Sequence, residues 1–90
     1  MKIINDNDNQ VRILNLIEIG KDDEIEKVRE THKTAIEMAK ITEENKENFD
    51  IDITARQPQK EDIGTFGITE PSKYRVVQVI VSEIKETNQN

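Results

Sequence analysis

The hydrophobic positions fall into two alternating runs, one run apolar on both faces and one helical stripe. Residues 10–19, QVRILNLIEI, alternate, with Val11, Ile13, Ile17 and Ile19 on one face and Arg12 and Glu18 on the other. That is the period of a β-strand. Leu14 and Leu16 add apolar groups to the second face, and Gly20 ends the run. Residues 49–55, FDIDITA, alternate more cleanly. Phe49, Ile51, Ile53 and Ala55 point in while Asp50, Asp52 and Thr54 point out, which predicts an edge strand with one wet face. Residues 73–85, KYRVVQVIVSEIK, are apolar on both faces from Val76 to Val81. Such a strand belongs in the middle of a sheet, covered twice.

Between the first two runs the period changes to that of a helix over 22–48. Asp22 or Asp23 can cap it, and Glu24 and Glu26 suit the positive end of its dipole. Ile25, Val28, His32, Ala35, Ile36 and Ala39 form one stripe. The other surface carries Asp23–Lys27, Glu26–Arg29, Glu30–Lys33, Glu37–Lys40 and Glu43–Lys46, each with the acid first, as a solvated helix favours. Met38 and Ile41 lie off the stripe, and Asn48 is the expected stop. Residues 56–72 hold two Pro and two Gly. A connection that long is functional or contains a short strand of its own, around Thr65–Ile68.

These elements predict an α+β domain of β-α-β-β order over 10–86. A tail over 1–9 precedes it, and a frayed tail over 87–90 follows. A right-handed crossover sets strands 10–19 and 49–55 in the same direction. The strand over 73–85 lies between them, in a three-stranded mixed sheet with one long helix on one face. The opposite face is then left with Leu14, Leu16 and one of the Val77, Val79, Val81 and Val76, Ile80 sets. With Ile63, Phe66 and Ile68 of the connecting loop, these are the expected self-association or partner surface.

Composition narrows the classes of function. Leu, Ile, Val and Phe make up 24 of the 90 residues, above the level of a disordered chain but enough only for a thin core. Such cores are often helped by oligomerisation. There is no cysteine, which excludes disulfides and thiolate metal sites. No apolar run is long enough for a membrane span, and no leader pattern is visible, so the expected location is the cytoplasm. A net charge of −6 and a pI near 4.8 argue against direct binding to nucleic acid.

Candidate chemistry is sparse. Asp6-Asn7-Asp8-Asn9 invites comparison with a calcium loop, which needs Gly at its sixth position and Glu at its twelfth. Counted from Asp6 those positions hold Val11 and Ile17, and from Asp8 they hold Ile13 and Ile19, so a solvated lead into the strand is expected. His32 is the lone histidine, expected to be half-buried and structural. Asp50 and Asp52, with Arg56 beyond them, read as guards of an edge strand rather than a magnesium site. No phosphate loop, nucleophile elbow or His-x-x-x-His pair occurs. No catalytic, cofactor or metal residue is therefore expected.

In element order, and in YRVVQVIV as a closing strand, the chain resembles the dodecins, small flavin-binding shells. It lacks the tryptophan on which that family stacks flavin, and no residue carries over. The expectation is a small acidic non-enzymatic module that binds itself or a host protein, a regulator or inhibitor of the kind phages and plasmids encode. A ligand-binding oligomeric shell is the alternative. A phosphate mimic that blocks a nucleic-acid enzyme is a further one, since helix 22–48 holds nine acids against five bases.

Overall fold

The computed structural model describes residues 1–7 and 10–84. The elements run β1 (Lys2–Asn7), β2 (Gln10–Glu18), α1 (Glu24–Ala39), β3 (Phe49–Arg56), α2 (Lys60–Phe66) and β4 (Tyr74–Glu83). The strands form one antiparallel sheet in the order β1-β2-β4-β3. The fold is α+β. β4 is central between β2 and β3, which share a direction, as the two-sided apolar run and the crossover rule require.

Three expectations are corrected. The first is the tail over 1–9. Its Lys2–Asn7 stretch is a strand, paired with β2 through Ile3 opposite Ile13 and Lys2 opposite Leu14, with an irregularity between Asn5 and Asn7. The sheet therefore has four strands, antiparallel at every pairing, and not the three of the expected mixed sheet. Two β-prone runs flanking an Asn/Asp cluster are a hairpin signal. Asp8 and Asn9 lie outside the described residues, as does the predicted tail over 87–90. The side chains of Asp6 and Asn7, which the calcium-loop comparison needs, also lie outside the described residues.

The second correction concerns the long helix. It stops at Ala39, with Lys40 in the left-handed conformation at φ 59°. The Lys40 N–H donates to the carbonyls of Glu37 and Ile36, and the Ile41 N–H donates to that of Ile36. This closes the end as a glycine would. The remaining residues before β3 form turns, and Glu43 pairs with Lys46 at 2.9 Å outside any α-helix. Because a lysine pays the steric penalty of this conformation, Lys40→Gly should stabilise the domain by about 0.5–1 kcal/mol, net of glycine's extra chain entropy. Thermal melts should show a rise of about 3–6 °C.

The third correction is the loop over 57–72. It holds helix α2 rather than a strand around Thr65–Ile68. Gln59 and Asp62 form a capping box at its start, and Gly67 closes it at φ 65°. Both are recognisable helix boundaries.

The core lies between α1 and the sheet centre. Ile13, Ile17, Val77, Val79, Val81 and Ala35 form its buried cluster, with Val11, Val28, Ala39, Ile41, Phe49 and Ile51 packed around it. The face of α1 that enters the core is rotated from the expected stripe. Thr31 and Ala35 are fully buried at its centre, His32 and Ile36 are half-buried beside them, and Ile25 is 67% exposed. The rotation follows from a polar pair. Asn15, on the same face of β2 as Ile13 and Ile17, donates from Nδ2 to Thr31 Oγ1 at 3.0 Å. Thr31 Oγ1 donates to the Lys27 carbonyl at 2.7 Å, and Asn15 Oδ1 accepts the Leu16 N–H at 3.0 Å. A wheel that rewards only apolar residues misses a threonine whose hydroxyl is satisfied in this way.

Thr31→Val should therefore lower stability by about 1–3 kcal/mol, because the Asn15 amide loses its acceptor in a buried site. The urea midpoint should fall with an unchanged m-value. Adding Asn15→Leu should recover part of the loss, since both partners are then apolar.

Candidate interaction surfaces

Strand register places the side chains of the second sheet face in rows. Leu16, Val76 and Arg56 form one row, and Leu14, Gln78 and Thr54 the next. The last two rows are Arg12, Ile80 and Asp52, then Gln10, Ser82 and Asp50. α2 is tied to the first of these rows through Arg56. Val76 is fully buried, and Leu14 and Ile68 are nearly so. Ile63 and Phe66 are half-buried. Apolar side chains are thus buried at this end of the second face as well.

An ion pair clasps α2 to the sheet. Arg56 on β3 donates from both terminal nitrogens to the carboxylate of Asp62, Nη1 to Oδ2 and Nη2 to Oδ1, the latter at 3.3 Å. Asp62 Oδ2 also accepts the Gln59 N–H at 2.7 Å. Its side chain is only 4% exposed, against 27% for Arg56. The Arg56 hydrogen bond holds the Asp62 carboxyl below its ordinary value of 3.8. The Gln59 N–H adds to this, and burial opposes it. Beside the clasp lies an open cleft of about 510 Å³. Its walls carry Lys2, Arg12, Arg56 and Lys60 around Ile4 and Leu14. Arg56 is engaged by Asp62, which leaves Lys2 and Lys60 as the exposed cations of the rim.

The residues expected to form one self-association surface divide between the two faces. Val77, Val79 and Val81 lie under α1 in the main core, not opposite it, because their register partners on β2 are Asn15, Ile13 and Val11. Leu14 and Leu16 are on the second face, where Leu14 is buried and Leu16 half-buried. Ile63, Phe66 and Ile68 belong to the segment that Arg56 ties to that face. The sheet face opposite α1 is therefore covered at one end from within the chain, which the polar, Gly/Pro-broken look of 57–72 concealed. Met38 is 44% exposed, and Ile41 packs on the core.

The surface that sequence reasoning undervalued is β3. It is an edge strand of eight residues, paired among the described residues only with β4. Its register is regular throughout, whereas the opposite edge, β1, carries an irregularity. α1 packs on β2 and β4 and leaves the far half of β3 open. Ile53 is 43% exposed and Ala55 is also exposed. On the other face Asp50, Asp52 and Thr54 are exposed. The strand therefore offers a straight row of backbone donors and acceptors, an apolar flank and an acidic flank. The alternation alone marks the acidic flank as a guard. The apolar flank was assigned to the core by alternation, but one 16-residue helix does not span four strands.

Among the described residues no group of three or more His, Asp and Glu side chains is placed to hold a metal ion. No helix among them is long and apolar enough to cross a membrane. No protein-family model, curated protein or solved structure matches the chain.

Proposed function

We propose that the chain is a small acidic, non-enzymatic protein-interaction module that acts on a protein partner through the free edge of β3. The observation that carries this reading is the edge itself. It is long and regular, with no Pro, Lys or bulge inside it, and an apolar flank at Ile53 and Ala55. Asp50 and Asp52 guard one flank only, and adding a partner strand to such an edge is a recurrent mode of recognition. Asp50 and Asp52 favour a partner strand that carries Lys or Arg. The phosphate-mimic reading loses ground, because α1 as it stands holds four acids against three bases.

The test is a photo-crosslinking amino acid placed at Ile53 and, separately, at Glu30 on the exposed side of α1. Adducts to a protein at position 53 and none at position 30 are expected. Adducts at position 30 alone would move the working surface to the helix and end this reading.

A further inference from the structure

The free edge of β3 is self-complementary, and the geometry points to a second copy of this chain as its occupant. The inference rests on the edge-binding reading above and names the partner. Two antiparallel copies of β3 that extend one continuous sheet are related by a dyad perpendicular to it. Such a dyad keeps each side chain on its own face, so it must pass beside a residue and not between two. Within Phe49–Arg56, only dyads at Asp52 and at Ile53 keep a long overlap. The dyad at Asp52 sets that aspartate against the partner's Asp52, a like-charge contact in the middle of the seam. The dyad at Ile53 sets Asp50 opposite the partner's Arg56, Asp52 opposite the partner's Thr54, and Ile51 opposite the partner's Ala55. Ile53 meets the partner's Ile53.

Cross-strand neighbours of opposite charge stabilise a sheet and like charges destabilise it, so charge selects the Ile53 register. Arg56 remains able to serve, since its clasp on Asp62 uses only part of a five-donor guanidinium. The same register buries the exposed Ile53 and Ala55 beside their symmetry mates. It removes the open edge from both copies, an isologous closure that leaves only the two β1 edges outside. The assembled sheet has eight strands, with the two α1 helices on the same side.

The absence of cysteine makes the register directly readable. Ile53→Cys should form a disulfide-linked dimer rapidly under mild oxidation, because the two sulfurs face each other across the dyad. Asp52→Cys, also at an exposed position, should do so at least about tenfold more slowly, because it faces Thr54. Light scattering of the unmodified protein over a roughly hundredfold dilution series should show dimer giving way to monomer. Ile53→Lys should be monomeric throughout, with unchanged circular dichroism. Two results would overturn the proposal: a parent protein that stays monomeric across the series, or cross-linking faster at position 52 than at 53. A monomeric parent whose position-53 photo-crosslinker still captures a different protein would sink self-pairing and leave the edge-binding reading standing.

Discussion

Val79→Lys should abolish the cooperative folding of the domain. Val79 is fully buried at the centre of β4, between Ile13 and Ile53 in register and beneath α1. The substitution forfeits about 1.5–3 kcal/mol of apolar burial. It also places an ammonium where no carboxylate faces it in the core cluster, at several kcal/mol more. A small domain with a thin core has about 5 kcal/mol to lose, near the low end for native proteins. Circular dichroism should show loss of the sigmoidal melt, and urea titration should show no folded baseline. The neighbour in the same row provides the control. Ile53 lies on the same face one strand away but is 43% exposed, and Ile53→Lys should change the stability of the monomer, measured at dilutions where the parent is also monomeric, by no more than about 0.5 kcal/mol. Val79 was expected to belong to an interface, in which case its lysine variant would be a folded monomer. A folded Val79→Lys protein would mean that α1 does not cover the sheet centre.

The second large effect is expected at the clasp. Asp62→Ala removes the carboxylate that receives Arg56 and the Gln59 N–H. The loss should be about 2–4 kcal/mol, below that of a fully buried pair because Arg56 keeps some contact with water. The capping box goes with it. α2 should loosen before the rest, so amides over Ile63–Ile68 should lose hydrogen-exchange protection while those of β2 and β4 keep theirs. Acid dependence gives a separate readout. The folded-state pKa of Asp62 is lowered, chiefly by the Arg56 hydrogen bond. Its contribution is therefore complete above the ordinary carboxylate value and is lost as pH falls through the lowered one. The gap in stability between parent and Asp62→Asn should be constant from about pH 7 down to about pH 5 and should close below about pH 4. A gap that stayed constant to pH 2 would mean the clasp does not depend on the charge of Asp62.

Much of the sheet was legible because strand position follows from how many faces are apolar. YRVVQVIV could only be central, FDIDITA could only be an edge, and the crossover rule oriented them. Three things were not legible, each for a physical reason. β1 is too short and too polar past Ile4 to announce itself, and its partner is a strand already accounted for by other contacts. α2 carries Gly64 inside it, which lowers helix propensity. Its only strong signals are the Gln59–Asp62 box and the closing Gly67. The burial of Thr31 depends on Asn15, sixteen residues away, and no local window contains both. The candidate site was half visible. Asp50 and Asp52 marked an edge, but the exposure of Ile53 and Ala55 depends on where a helix happens to lie across the sheet.

The strand order also bears on how the chain is made. β4 is the last described element, yet it holds β2 and β3 together; β3 has no strand partner until β4 arrives. During synthesis β1, β2 and α1 can meet as they emerge. β3 must wait with both of its edges unpaired, and every β3–β4 and β2–β4 contact is made late and over a long stretch of sequence. Folding of this kind is slow for its size, and an unpaired strand is the form in which chains find the wrong neighbour. Asp50 and Asp52 on the waiting strand carry charge during that interval, whatever they do once the sheet is closed. Replacing both by Asn or Ser should raise losses to aggregation during expression, even if the purified domain is equally stable.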